Sequence, residues 1–152
     1  MKVNGERLVT ETHQIARAAE RESLADFRDL IESACQQHPA IDDAIRYDLK
    51  LAVDEACTNI ITHGYAGMNP GSIILTLEVD PHQVVVMLAD FGHAFEPSDA
   101  PAPDVQAGLE DRLMGGFGLF FIYRTMDEIR YEADEDGNRL TLVKRLQPLG
   151  TA

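Results

Sequence analysis

Two polar residues, Glu55 and Asn59, stand four positions apart beside the apolar stripe of a predicted helix. Residues at that spacing share one helix face, and this pair lies about 100° around the helix from the stripe through Ala56 and Ile60. The amide of Asn59 can offer an oxygen to a hard cation such as Mg²⁺, and Glu55 can position a water or take a proton. The alternative is a polar pair at the rim of the buried face, stabilised only by its own hydrogen bond.

A second candidate is the stretch LADFGHAF, in which Asp90 ends an apolar strand and Gly92 allows a sharp turn. A carboxylate in that position can accept a hydrogen bond from an amino group such as that of adenine. The alternative is a turn-initiating aspartate followed by a turn glycine, which is a common arrangement.

The stretch LMGGFGLFFIYRTM is the third candidate, because Gly115, Gly116 and Gly118 open an amphipathic helix. Free backbone N–H groups at a helix N-terminus bind phosphate, and glycine allows close approach. A packing role for these glycines is the alternative. The glycines do not follow a strand, so the stretch is neither a dinucleotide-binding fingerprint nor a P-loop.

Periodicity predicts the elements that position these residues. The predicted elements are an edge strand in residues 3–10, a helix from Ile15 to Gln37, a helix from Asp42 to His63, the strands SIILTLEV and QVVVMLAD, a long loop, a helix starting near Gly116, and the hairpin EIRYEAD/NRLTLVKRL around Asp136-Gly137. This order indicates an α+β fold, a two-layer α/β sandwich in which helices cover one face of a mostly antiparallel sheet.

Bulk composition narrows the classes of function. The 152 residues predict a single domain spanning 1–152. The net charge of −13 argues against nucleic acid as a direct partner. No apolar run is long enough for a membrane span, and the polar N-terminus shows no secretory signal. Cys35 and Cys57 form no metal-ligand pattern and are expected to be reduced thiols, as in a cytoplasmic protein.

Each motif is modest alone, but their order and spacing resemble those of the GHKL ATPase family. The closest similarity is to its anti-sigma factor serine/threonine-protein kinase branch. The resemblance covers nearly the whole chain and is carried by the stretches VDEACTNIITHGY, VVMLADFGHAF and GGFGLFFIYRTMDEI and by the closing hairpin ending VKRL. The resemblance implies a histidine-kinase-like ATPase fold that uses ATP and Mg²⁺.

The resemblance also implies roles for individual residues. Asn59 would coordinate the Mg²⁺ that bridges the ATP phosphates, and Glu55 would be the catalytic residue that orients or deprotonates the acceptor hydroxyl. Asp90 would bind the adenine amino group, with Gly92 shaping the base pocket. The remaining expectations concern the phosphates: Gly116 and Gly118 beneath an ATP lid at about 93–114, and a γ-phosphate contact from Arg112, with Arg124 as the alternative.

The implied partners are a sigma factor, which the protein would sequester, and a small anti-anti-sigma (STAS-type) protein, which it would phosphorylate. Relatives often dimerise, which leaves a homodimer open, but the sequence does not fix the oligomeric state. One departure is Ala94, where many relatives have a second glycine, and the lid is acidic. These two features favour an alternative, a nucleotide-binding sequestering module without significant kinase activity. A detached histidine-kinase catalytic domain is the third interpretation, and no acceptor-histidine helix precedes the domain.

Overall fold

The computed structural model describes residues 2–3, 6–7, 10–94, 122 and 124–147, with side chains from Thr10 onward. In chain order its elements are β1 (Lys2–Val3), β2 (Glu6–Arg7), β3 (Glu11–Ala18), α1 (Leu24–Cys35), α2 (Asp43–Asn59), β4 (Ser72–Val79), β5 (Gln83–Asp90), β6 (Glu128–Asp134) and β7 (Gly137–Arg145). A 3₁₀ turn, Arg21–Ser23, precedes α1, and a wide π-helical turn, Ile60–Gly64, follows α2.

Five strands form one sheet in the order β3-β4-β5-β7-β6, and every neighbouring pair is antiparallel. The strand predicted to be central, QVVVMLAD, is the middle strand of this order. Its last residue, Asp90, pairs with Ile73 on one side and Asn138 on the other. Asp90, the residue expected to bind adenine, therefore lies at the end of the central strand of the sheet.

The hydrophobic core lies between one face of the sheet and the two helices. Alternate residues of β4 and β5 point inward and are fully buried, as period-two strands require. The helices contribute the opposing layer through Phe27, Ile31, Leu49, Ala52 and Val53. The predicted α+β two-layer sandwich, with a mostly antiparallel sheet and helices packed on one face, is confirmed.

The predicted start of the first helix is wrong. Residues 11–18 form the edge strand β3, paired over its whole length with β4, and the α-helix begins only at Leu24. A short apolar pattern fits both periods, and pairing with β4 decides between them. Edge position leaves most of β3 exposed, with Ile15 only partly buried. The edge strand expected in residues 3–10 is likewise misplaced, since among the described residues β1 and β2 pair with each other and not with the five-stranded sheet.

The other elements agree with the sequence where the structure describes them. Asp80 closes the β4–β5 hairpin, because its Oδ1 accepts hydrogen bonds from the N–H groups of His82 at 2.7 Å and Gln83 at 2.9 Å. Gly137 has φ of 129° at the β6–β7 turn, a conformation that favours glycine. Of the third helix only the end is described, and there Ile122 is fully buried. Its predicted start near Gly116 lies outside the described residues.

Candidate functional site

Helix α2 is fixed in rotation by its cap and its buried stripe. The Asp42 side chain accepts a hydrogen bond from the N–H of Ile45 at 2.9 Å, which caps the helix start. Leu49, Ala52 and Ala56 then face the core with 3% exposure or less. Burial of an aliphatic side chain such as Leu49 stabilises the fold by about 1.5–3 kcal/mol. Rotating the helix would expose this stripe, so the neighbouring face is held at the edge of the core.

Glu55 and Asn59 occupy that edge, and both are half-buried. Partial burial, together with the negative charge of the adjacent Asp54, raises the pKa of Glu55 above its ordinary value of 4.5. A carboxylate with a raised pKa is a better proton acceptor once ionised. The arrangement therefore suits Glu55 to proton transfer and leaves the Asn59 amide at the rim, where a ligand can reach it.

Asp54 connects this helix turn to α1. Arg28 Nη1 donates to both carboxylate oxygens of Asp54, at 3.0 Å and 2.9 Å. The ion pair ties the turn that carries Glu55 to the neighbouring helix and partly balances the charge beside it. Sequence reasoning missed Arg28, because a contact across 26 positions between two helices leaves no local pattern.

Asp90 is buried to 5% exposure, and its carboxylate is held by two donors. Its Oδ1 accepts from the N–H of Gly92 at 2.9 Å and from Asn138 Nδ2 at 3.0 Å. Asn138 itself is 6% exposed and stands at the start of β7. The sequence analysis missed this residue, although a polar side chain directly after the turn glycine Gly137 was a usable signal.

Gly92 lies where the two halves of the site meet. One half is α2 with the turn that follows it, and the other is the turn after β5 that contains Asp90. A Cβ at this position would lie 2.3 Å from the carbonyl oxygen of Gly64, at the end of the wide turn after α2. The N–H of His93 also donates to that oxygen at 2.5 Å. The absence of a side chain at Gly92 is therefore what lets the turn after β5 rest directly on the backbone that follows Asn59.

Tyr65 closes the same junction from the loop after α2. Its hydroxyl donates to the carbonyl of Ser72 at 2.8 Å and accepts from the N–H of Phe91 at 3.0 Å. Burial is the main cause that raises the pKa of Tyr65. Sequence analysis did not single out this residue, since an aromatic after a helix end is more often a core residue.

Cys57 is a buried residue of α2 whose thiol pKa is shifted by its surroundings. Burial, and then the charges of Asp54 and Asp90, raise the pKa of its thiol. The negative charges of both aspartates therefore disfavour the thiolate form of this buried residue of α2. Cys35 is also buried, and burial raises the pKa of its thiol to about 11. Neither cysteine forms a disulfide, so both are free thiols.

Several predicted site residues cannot be placed. Arg112, Gly116 and Gly118 lie outside the described residues, as does nearly all of the predicted lid. Arg124, the alternative to Arg112 for the γ-phosphate contact, is exposed. Within the described ranges, no helix is long and apolar enough to cross a membrane.

Mg²⁺ fits the described part of the site only in company with a nucleotide. Among the residues that the structure describes, no group of three or more His, Cys, Asp or Glu side chains can hold a metal ion. Mg²⁺ bound with nucleotides needs only one or two protein oxygens, because phosphates and waters supply the rest. Asn59, a partly exposed residue, offers one amide oxygen, which matches that demand.

Comparison with known proteins identifies the family. The histidine kinase-like ATPase domain family matches residues 17–144. Serine/threonine-protein kinase BtrW of Bordetella bronchiseptica is 34% identical over 104 residues, which are 68% of this chain and 73% of that protein. Serine-protein kinase RsbW of Bacillus licheniformis is 34% identical over 91 residues, 57% of each chain. Anti-sigma F factor of Clostridium novyi is 29% identical over 103 residues, 67% of this chain and 72% of the relative.

The similarity thus spans between 57% and 73% of these three relatives. The five-stranded antiparallel sheet packed against helices and the family match over residues 17–144 point the same way. The chain belongs to the histidine kinase-like ATPase domain family, in the branch of the anti-sigma factor serine-protein kinases.

Proposed function

We propose that this protein is an ATP-dependent serine kinase and anti-sigma regulator, which sequesters a sigma factor and phosphorylates an anti-anti-sigma partner of STAS type. The observation that supports this most is the junction at Gly64 and Gly92. It brings the helix turn carrying Glu55 and Asn59 against the turn that presents Asp90. The proposal treats residues 1–152 as one catalytic and binding domain.

In the proposed ATP complex, Asp90 accepts a hydrogen bond from the adenine amino group, and Gly92 keeps the base pocket open. The amide oxygen of Asn59 would hold Mg²⁺, which would supply charge neutralisation at the phosphates. Gly116 and Gly118 bind the phosphates through their backbone N–H groups. Arg112, from a lid at about 93–114, contacts the γ-phosphate.

Phosphoryl transfer requires positioning and electrostatic stabilisation more than covalent participation. Glu55 orients the acceptor serine hydroxyl and takes its proton as the oxygen attacks the γ-phosphorus, while the bond to the ADP oxygen breaks. Partial burial supports this role, because it raises the pKa of Glu55 towards the range where a carboxylate accepts a proton effectively.

The regulatory part of the proposal follows from the added charge. A phosphoserine on the partner's docking surface repels an acidic protein, and this chain carries a net charge of −13. Release of the phosphorylated partner then leaves the protein free to bind the sigma factor. The relatives' names, serine-protein kinase and anti-sigma F factor, support both activities. We place the protein in the cytoplasm and leave its oligomeric state, monomer or homodimer, open.

The alternative function is that of a nucleotide-binding module that sequesters its partner without significant kinase activity. The exposed Ala94, in place of the second glycine of the D-x-G-x-G pattern, favours this alternative. The two functions share nucleotide binding and sigma-factor binding, and they differ in phosphate transfer.

Transfer of labelled γ-phosphate to a co-purified STAS-type partner tests the proposal. Wild-type protein should label the partner, Glu55→Ala should bind ATP but not transfer, and Glu135→Ala, an exposed turn residue, should behave as wild type. A wild-type protein that binds ATP without labelling any partner would establish the sequestering module instead. Pull-downs with ATP or ADP, analysed by mass spectrometry, should recover a sigma factor, and its absence in both would refute the anti-sigma role.

A further inference from the structure

Resting on the proposed ATP site, we infer that Asn138 is the positioning residue that makes the pocket select adenine over guanine. Asn138 does so by fixing the orientation of the Asp90 carboxylate. It lies near the start of β7, in the closing hairpin, and no site role was predicted for it from the sequence.

The Asn138 amide reaches three acceptors of the turn after β5. Its Nδ2 donates to Asp90 Oδ1 at 3.0 Å and to the carbonyl of Gly92 at 2.9 Å, with the carbonyl of His93 at 3.4 Å. One nitrogen has two hydrogens, so the third contact shares a donor. A single buried side chain thus holds both the carboxylate and the backbone that frames it.

The pairing of the strands makes this geometry rigid. Asp90 and Asn138 stand opposite each other in the antiparallel register of β5 and β7. Both are nearly fully buried, at 5% and 6% exposure. Cross-strand partners have their Cβ atoms about 5 Å apart, which suits two short polar side chains that meet through one hydrogen bond.

Ligand selection depends on which carboxylate oxygen of Asp90 accepts the hydrogen bond from Asn138. Within the described residues, Oδ1 of Asp90 takes both the Asn138 donor and the Gly92 N–H. Oδ2 is then the oxygen available to the base, and its direction is set by the two bonds on Oδ1. Adenine presents an amino donor at C6, whereas guanine presents a carbonyl acceptor there, which a fixed carboxylate oxygen repels.

A carboxylate that could rotate would discriminate less, because it could turn its oxygens away from the guanine carbonyl. Rejection of a wrong ligand requires a polar group that cannot relax. Asn is suited to this position, since an Asp there would face three acceptor oxygens in a buried site. The structure therefore assigns Asn138 a role in specificity as well as in the turn.

The test compares ATP and GTP binding to full-length Asn138→Ala, Asn138→Ser and Asn69→Ala, by displacement of a fluorescent ATP analogue, with melting temperatures measured in parallel. Asn69 is exposed and serves as the matched control. In Asn138→Ala, ATP affinity should fall about tenfold, the size expected for a lost hydrogen bond to a charged group. GTP affinity should change less than about twofold, so the ATP/GTP preference should shrink about as much as ATP affinity falls.

Asn138→Ser keeps a shorter donor and should give an intermediate preference. If the alanine variant does not fold, the ATP/GTP preference of Asn138→Ser tests the inference instead. Equal losses for both nucleotides would show a purely structural role and overturn the inference, as would an unchanged preference in a folded variant. A wild-type protein that binds neither nucleotide would instead refute the proposed ATP site.

Discussion

Replacement of Gly92 by alanine should break the junction between the two halves of the site. The new Cβ would lie 2.3 Å from the oxygen and 2.5 Å from the carbon of the Gly64 carbonyl, and 3.1 Å from the Tyr65 nitrogen. All three atoms are backbone, so no side-chain rotation relieves the overlap. The two segments must separate by about 1 Å to reach ordinary contact, and backbone shifts of this kind cost about 3 kcal/mol. For a chain of this size, that loss lowers the melting temperature by about 6–12 °C.

Gly64→Ala is the matched control, because it adds a methyl group on the other side of the same contact. The nearest atoms to that Cβ would be the Ile60 Cγ2 at 3.6 Å and Asp90 Oδ1 at 3.7 Å, which are ordinary contacts. Thermal unfolding and titration with a fluorescent ATP analogue should show loss of stability and binding in Gly92→Ala, and near wild-type behaviour in Gly64→Ala. Equal behaviour of the two variants would refute the described contact.

Three further predictions concern single side chains. Asn59→Ala should abolish Mg²⁺-dependent ATP binding in a filter-binding assay without lowering the melting temperature, and a loss of stability instead would favour the rim-pair interpretation. Tyr65→Phe should destabilise by about 2 kcal/mol in urea unfolding, since it leaves the partners of the hydroxyl unpaired, whereas Tyr47→Phe, 62% exposed on α2, should not. Phosphate transfer should rise with pH through a Glu55 pKa above 4.5. In Glu55→Gln that acid limb should vanish, and a limb that persists would assign it to another group.

The sign of the Glu55 effect on stability is opposite to that of a paired carboxylate. Its pKa is raised in the folded protein, so folding favours the protonated form. Relative to Glu55→Gln, the wild-type carboxyl therefore stabilises the fold below about pH 4.5, and this contribution is lost as pH rises through the folded pKa. A difference in melting temperature between the two proteins that grew in the opposite direction would contradict the burial of Glu55.

Local patterns predicted the elements with strong periodicity. The stripe of α2 predicted which face is buried, and hence that Glu55 and Asn59 stand at its edge. The two hairpins followed from their turn residues. The first helix failed at its start because the apolar spacing around Ile15 fits a strand equally well, and its outcome depended on pairing with β4, about 60 positions away.

Long-range contacts explain what the sequence did not predict in the site. Arg28, Tyr65 and Asn138 reach their partners across 26, 26 and 48 positions, respectively. None was predicted to act in the site, although Tyr65 ends the stretch VDEACTNIITHGY and Asn138 lies in the closing hairpin. Each contributes a hydrogen bond whose partner is defined only once the layers have packed. The motif residues indicate what the site binds, and these three indicate how its parts are held in place.

The residues expected to bind ATP differ from those that hold the site together, and this difference has an energetic consequence for ATP binding. A nucleotide that contacts both Asn59 and Asp90 spans the junction of Gly64 and Gly92, so it binds the folded chain and not the unfolded one. At a concentration of 100 times its Kd it should stabilise the protein by about 2.7 kcal/mol. Variants that loosen the junction, such as Gly92→Ala and Tyr65→Phe, should lose stability and ATP affinity together. Asn59→Ala should lose affinity alone, because the junction does not depend on that side chain, and it should therefore depart from the correlation that the other two variants define.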